Sequence, residues 1–343
     1  MSDRPEFYAD RSSSVQIQLS LYFLIMLDLL SDILTNLSVR GTLYFRTSLT
    51  TPWGIEVPAY ENVVRFHFAH RGDCLVEVEG SGKSVALQQG DLLIVPRGAS
   101  HKLYCGLETR EAVLPLDTVI EKSGFTGTGV LVYGGDQDDR DTQLICGHFS
   151  FDPHAKHVLM ERLPPYIHIK NYGESAGKWI EATLQVIGDE AGGQRMGGDL
   201  IALKMSETIL AHAIRSFIES NEAPEWGLDA FSDDNLRKAL DAFHQSPDKH
   251  WTIEALAQTA GMSRTSFAVL FQKKMAMTPM EYITAWRIEI AKRLLMVPKT
   301  TLTDAAEGAG YASNSAFTRV FKKETGMTPA DFKKSVTSHR SDI

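Results

Sequence analysis

The spacing of apolar residues changes along this chain, and each change predicts a different kind of element. Leu29, Leu30, Ile33, Leu34 and Leu37 recur at helical spacing and are closed by Arg40-Gly41, which predicts a short amphipathic helix over residues 29–39. From Thr42 to about Phe151 the period falls to two. Short runs such as LYF at 43–45, VVRFHF at 63–68, CLVEVEG at 74–80, SVAL at 84–87, DLLIVP at 91–96 and LICGHFSF at 144–151 are punctuated by Gly, Pro and Asp. Many short strands at such spacing predict a β-sandwich or barrel. Helical period returns over 175–220, with Trp179, Ile180, Leu184 and Ile187 on one stripe and Leu200, Leu203, Leu210, Ile214 and Phe217 on another. Those stripes fit either a dimer interface or packing on the barrel. Residues 221–232, with Pro224, Gly227 and several acids, read as a linker.

The last third of the chain repeats itself. Ile253–Tyr282 reads IEALAQTAGMSRTSFAVLFQKKMAMTPMEY and Leu302–Phe332 reads LTDAAEGAGYASNSAFTRVFKKETGMTPADF, offset by 49 residues up to the turn glycines Gly261 and Gly310 and by 50 after them. Each copy is a short helix, a glycine turn and a second helix, the layout of a helix-turn-helix. Thr252 and Ser263 are the expected caps in the first copy, and Thr301 (paired with Asp304) and Ser313 in the second. Phe267, Leu270 and Phe271 in one copy, and Phe317, Val320 and Phe321 in the other, recur at i, i+3, i+4 and should face the core. The opposite faces then carry Arg264, Thr265, Ala268, Val269 and Gln272, and Asn314, Ser315, Thr318, Arg319 and Lys322. Between the copies, Thr278-Pro279-Met280-Glu281 is a strong helix start. The helix it opens should run to about Met296, long enough to hold two reading units apart on one face of double-stranded DNA.

Charge changes the picture in one respect. The whole chain carries a formal −8, which argues against a nucleic-acid partner, yet residues 233–343 hold 16 Lys and Arg against 12 Asp and Glu, a net of +4. The remainder carries −12. A basic end on an acidic body fits a polyanion partner. Cys74, Cys105 and Cys146 are too few and too scattered for a disulfide framework or structural zinc, and fit a reducing cytoplasm. The apolar run Leu19–Leu27 is too short for a membrane span and lacks a clear cleavage site, so residues 1–28 read as an extension, with Met26 an alternative start. No membrane partner is expected.

At this point the chain resembles a known family. Residues 233–337 resemble the DNA-binding domain of AraC/XylS transcription regulators through Gly310-Tyr311-x-Ser313-x-Ser315-x-Phe317-x-Arg319-x-Phe321-Lys322-Lys323 and Gly326-Met327-Thr328-Pro329. The resemblance implies two helix-turn-helix units, 253–275 and 302–325, joined by a linker helix. Arg319 is then the best single candidate for base readout, since an Arg on such a face contacts guanine in bidentate fashion for about 1–3 kcal/mol of discrimination. The alternative is that it pairs only with an acid or a phosphate. Lys273, Lys274, Lys322 and Lys323 are candidates for phosphate affinity. The first unit departs from the family pattern, with Val269 where Arg is common and Ala268 opposite Thr318, so unequal readers are expected. Ala305 and Gly308 depart in the second, where Gly inside a helix predicts a loose element.

Gly90-Asp91-x-x-x-x-Pro96-x-Gly98-x-x-His101 resembles the second motif of cupins, with 67–78 in the place of the first. Leu131-Val132-Tyr133-Gly134-Gly135, Cys146-Gly147-x-Phe149-x-Phe151-Asp152 and Leu163-Pro164 resemble the cupin-type ligand domain fused to some AraC-family regulators. The expectation is a multidomain α+β chain: a cupin-like effector domain over 29–174, a helical dimerisation segment over 175–220, a linker over 221–232 and the DNA-binding domain. His67 and His101 are candidate effector-binding residues, with ordinary buried histidines as the alternative. His67 and His70 stand three apart and should face opposite sides of a strand, which works against a metal set; neither metal nor cofactor is expected. The leading reading is a cytoplasmic, effector-controlled, homodimeric transcription regulator without enzymatic activity, with double-stranded DNA, a small molecule and RNA polymerase as candidate partners. The alternative is a metal-dependent cupin enzyme with a DNA-binding tail.

Overall fold

A computed structural model describes residues 28–37, 39–127, 129–135, 141–151, 157–172, 182–183, 186, 190, 196–220, 226 and 228–339. The expected N-terminal extension, the stripe of Trp179, Ile180, Leu184 and Ile187, and much of the expected linker lie outside the described residues. The chain divides into two compact units, one over 37–232 and the other joining the described residues up to Asn36 with those from Asp233 onward.

The first unit is a two-sheet β structure. Eleven strands are described: β1 (Val39–Thr50), β2 (Gly54–Val57), β3 (Val63–Arg71), β4 (Cys74–Val78), β5 (Ser84–Leu87), β6 (Leu92–Val95), β7 (His101–Tyr104), β8 (Leu114–Pro115), β9 (Val130–Gly134), β10 (Gln143–Phe151) and β11 (Ile167–Ile169). One sheet has the order β11-β6-β3-β10-β1-β9 and the other β5-β4-β7-β2-β8. Pairing is antiparallel except for β1 with β9 and β2 with β8. Alternation does what the sequence predicts: Leu49, Ala69, Leu93, Val95, Leu144 and Cys146 from one sheet meet Ile55, Val57, Val76, Val78, Leu87 and Leu103 from the other in a shared core.

Strand β3 is buried along most of its length, which alternation alone does not predict. Its other face is also covered. Phe66 stacks on Phe149 with ring centroids 5.4 Å apart, and helix α4 (Gly198–Ile218) packs against β1 and β11. The stripe expected on α4 is therefore split. Leu210, Ile214 and Phe217 are buried, while Leu200 is 61% and Ile201 43% exposed. Tyr172 fixes the buried half, its hydroxyl 3.4 Å from the Ile209 carbonyl oxygen and 3.3 Å from His212 Nδ1.

The Gly90–His101 segment is built as its spacing predicts, and Asp91 is its hub. Buried, it accepts hydrogen bonds from the backbone N–H groups of Gln88 (3.1 Å) and Asn171 (2.8 Å), and from His168 Nε2 at 2.8 Å. Gly98 sits at φ +60 with the Tyr60 carbonyl where a Cβ would be, so glycine is required there.

The second unit is helical. Its elements are α1 (Leu29–Leu37), α5 (Asp234–Gln245), α6 (Ile253–Thr259), α7 (Arg264–Met275), α8 (Pro279–Met296), α9 (Leu302–Gly308), α10 (Asn314–Thr325) and α11 (Pro329–His339); α2 (Leu116–Ser123) and α3 (Val158–Arg162) belong to the β unit. The two helix-turn-helix units expected from the repeat are present at the expected positions. All but the last residue of α1 is counted with the C-terminal helices, because Asp32 bonds to His244 and the Leu29 backbone N–H reaches Asp241.

Candidate nucleic-acid interface

Each reading helix begins at a serine cap. The Ser263 side chain accepts from the Ser266 N–H at 3.2 Å, and the Ser313 side chain from the Ala316 N–H at 3.3 Å. The turns before them use Gly261 at φ +68 and Gly310 at φ +76. Thr278 with Glu281, and Thr301 with Asp304, form complete capping boxes. Backbone N–H groups of Thr278 and Thr301 hold those two carboxyls below their ordinary pKa values.

The inner faces follow the i, i+3, i+4 expectation. Phe267, Phe271, Phe317 and Phe321 are buried, with Leu270 and Val320 half-buried beside them. Phe267 and Phe271 lie 5.7 Å apart between ring centroids, and Phe317 and Phe321 5.5 Å. With these anchors fixed, α7 presents Arg264, Thr265, Val269 and Lys273 to solvent with Ala268 half-buried, and α10 presents Asn314, Ser315, Arg319 and Lys322 with Thr318 half-buried.

The two faces differ in chemistry. Arg264 is tied to Glu254 at 2.9 Å, and Val269 is 63% exposed where the second copy has Arg319. Among the described residues Arg319 has neither hydrogen-bond nor ion-pair partner. Asn314 Nδ2 donates to Thr303 Oγ1 at 2.9 Å, which ties the start of α10 to α9. Lys274, expected among the phosphate-binding lysines, instead lies 3.1 Å from the carboxylate of Asp233, the cap of α5. Sequence reasoning could not see that partner, which lies 41 residues away.

Gly308 also has a reason that the sequence did not show. A Cβ there would lie 2.7 Å from Leu294 Cδ1 on α8, so the missing side chain lets α9 seat against α8. Arg287, on the linker helix α8, is half-buried and bonded to the loop before α6: Nε donates to the Pro247 carbonyl at 2.8 Å and a terminal nitrogen to the Lys249 carbonyl at 2.6 Å.

In the β unit His67 and His101 do come together, but not at an open site. They are 4% and 1% exposed, and their Nε2 atoms lie 2.8 Å apart. His101 Nδ1 is 2.9 Å from the Ala99 carbonyl, which only accepts, so that nitrogen carries the proton. In the neutral ring Nε2 then accepts from His67 Nε2–H, and His67 Nδ1 accepts in turn from the Cys146 thiol 3.1 Å away. The chain from thiol to carbonyl uses every polar atom of both rings. Burial pushes His101 down to about 4 and His67 well below its ordinary value, and raises the Cys146 thiol, all of which keep the chain neutral. These contacts favour the alternative expected for the pair, ordinary buried histidines, over a place in an effector pocket. Among the described residues no group of three or more His, Cys, Asp or Glu is arranged to hold a metal ion.

As the sequence predicts, His70 faces away from His67. It lines a cleft of about 400 Å³ with Arg46, Thr47, Ser48, Val130, Gln143, Leu144 and Ile145. Among the described residues His70 Nδ1, a buried atom, has no hydrogen-bond partner. Among the described residues no helix is long and apolar enough to cross a membrane.

Comparison with known proteins agrees with this architecture. A cupin family profile matches residues 28–219 and a helix-turn-helix domain profile matches residues 256–335. A protein of Streptomyces lividans named as an AraC-like transcription regulator is 32% identical over 91% of this chain and 99% of its own length. The HTH-type transcriptional regulator AlkR of Acinetobacter baylyi is 25% identical over 90% of this chain and 99% of its own. The RCS-specific HTH-type transcriptional activator RclR of Escherichia coli is 24% identical over 90% and 98%. With a cupin domain followed by two helix-turn-helix units, this chain belongs to the AraC family of DNA-binding transcription regulators.

Proposed function

We propose that this regulator reads two adjacent major-groove segments of one duplex, and that α10 supplies most of the base discrimination. The observation that carries this reading is Arg319: exposed, unpaired among the described residues, and aimed outward by Phe317 and Phe321 beneath it. Ser315 and Thr318 stand beside it. The face of α7 has an apolar Val269 in the matching place and an Arg264 already engaged, so the first unit contributes position and apolar contact, for instance with a thymine methyl. Lys273 and Lys322 are exposed and add phosphate affinity.

The β unit takes a small-molecule effector, as the cupin resemblance implies. We place it in the cleft at Arg46 and His70 rather than at His67 and His101, because the cleft has room and polar side chains on its lining, whereas the His67–His101 pair is buried and hydrogen-bonded. The exposed start of α4, with Leu200 and Ile201, and Met196 just before it, is the surface we assign to a homodimer contact. The protein acts in the cytoplasm, without enzymatic activity.

Enrichment of genomic fragments at near-physiological salt, with wild type and Arg319→Ala in parallel, tests the central claim. A two-part motif whose one part degrades in the variant is the expected result. A uniform loss of affinity across sequences would overturn base readout by Arg319 and leave only backbone binding.

A further inference from the structure

We propose that Arg287 sets the spacing between the two DNA segments this protein reads, by clamping the loop ahead of the first reading unit to the turn of the second. The inference rests on the proposed reading in which both units contact one duplex. Each unit has its own aromatic core: Phe267, Phe271 and Tyr282 for the first, Phe317, Phe321 and Phe332 for the second. Those cores orient each reading helix within its unit. How one unit is rotated about α8 relative to the other, the quantity that must match the pitch of DNA, depends on how each packs on α8, where Gly308 seats α9 beside Leu294, and on a direct contact between the two units.

The direct contact lies at the middle of α8. Arg287 donates to the carbonyls of Pro247 and Lys249, in the loop that leads into α6. Its guanidinium carbon also lies over the ring of Tyr311, 6.0 Å from the centroid, in the turn of the second unit. At that turn the chain passes so close that a Cβ on Gly310 would be 2.9 Å from an Arg287 nitrogen, 2.9 Å from the Asp248 Cα and 2.9 Å from the Pro247 oxygen. The loop of one unit therefore touches the turn of the other directly, with the guanidinium filling the seam.

Only a planar fork serves this place, because it bonds two carbonyls edge-on while presenting a flat face to a ring. Lysine keeps the charge and loses both features. Arg287 is thus a positioning residue. The contacts that define it are to this chain's own backbone and to Tyr311, and its effect is on geometry.

The test uses the full chain and synthetic duplexes bearing the two-part sequence that wild-type protein enriches, together with single base-pair insertions and deletions between the parts. Each inserted pair turns the second segment by about 34°. Wild type should prefer the original spacing by about tenfold or more. In Arg287→Met and Arg287→Lys that preference should fall toward about twofold, while binding to a duplex holding only the second part stays unchanged. That last measurement, with a thermal melt, separates lost geometry from lost folding. If Arg287→Met does not fold, Arg287→Lys carries the same comparison. A variant that binds the single part normally and keeps the sharp spacing preference overturns the proposal. Wild type without any spacing preference overturns instead the two-segment reading beneath it.

Discussion

His244 Nδ1 lies 2.7 Å from a carboxylate oxygen of Asp32, 212 residues earlier in the chain, and both side chains are buried. The other ring nitrogen of His244 is 2.8 Å from the Tyr282 hydroxyl on α8, and Asn36 donates back to Asp32 at 2.9 Å. A helix that precedes the β unit is in this way built into the core of the DNA-binding unit.

Removing one partner of such a buried pair leaves the other without compensation. Asp32→Ala should destabilise the helical unit by about 3 kcal/mol, measured by chemical denaturation of the full chain. The double variant Asp32→Ala/His244→Leu should recover part of that loss. Equal and additive losses in the two single variants would mean that the groups do not interact.

The β unit should lose stability in mild acid. His67 and His101 are held below the ordinary imidazole value, first by burial and, for His67, next by the neighbouring ring. Unfolding lets them take up protons, so their contribution is fully present above pH about 6.5 and is lost as pH falls toward the folded values. For His101, from 6.5 to about 4, this is at most about 3 kcal/mol. Urea unfolding between pH 7 and 4.5, followed by a signal of the β unit, should show the decline. His101→Asn should flatten it, and an equally steep decline in that variant would place the proton uptake elsewhere.

Gly308 offers a test of packing against propensity. Alanine there gains about 1 kcal/mol of helix propensity but drives its Cβ into Leu294. Gly308→Ala alone should therefore change stability little. In a Leu294→Ala background the same substitution should stabilise by about 1 kcal/mol. A full gain in the wild-type background would show that Leu294 moves aside freely.

Much of this architecture was legible because its causes are local. The capping boxes at Thr278 and Thr301, the serine caps of both reading helices and the phenylalanine pairs on their inner faces are all set by residues within four positions of one another. The strand runs of the β unit carried their own alternation, and the repeat placed two similar reading faces in the chain before any contact was known. The exposure of Arg319 followed from its place opposite Phe317 and Phe321.

What the sequence by itself determined is therefore the kind and order of the main segments, the family and the outward face of each reading helix, since period, caps and turn glycines act over a few bonds. Only the tertiary structure decided who meets whom across the fold: Asp32 with His244, Lys274 with Asp233, Arg287 with the Pro247–Lys249 carbonyls, and His67 with His101 and Cys146. These partners are joined by distance and burial rather than by spacing. A lone Asp on an apolar helix, or an Arg on a linker, carries no local mark of the group it will satisfy. The same holds for Gly308, whose reason is a leucine on another helix.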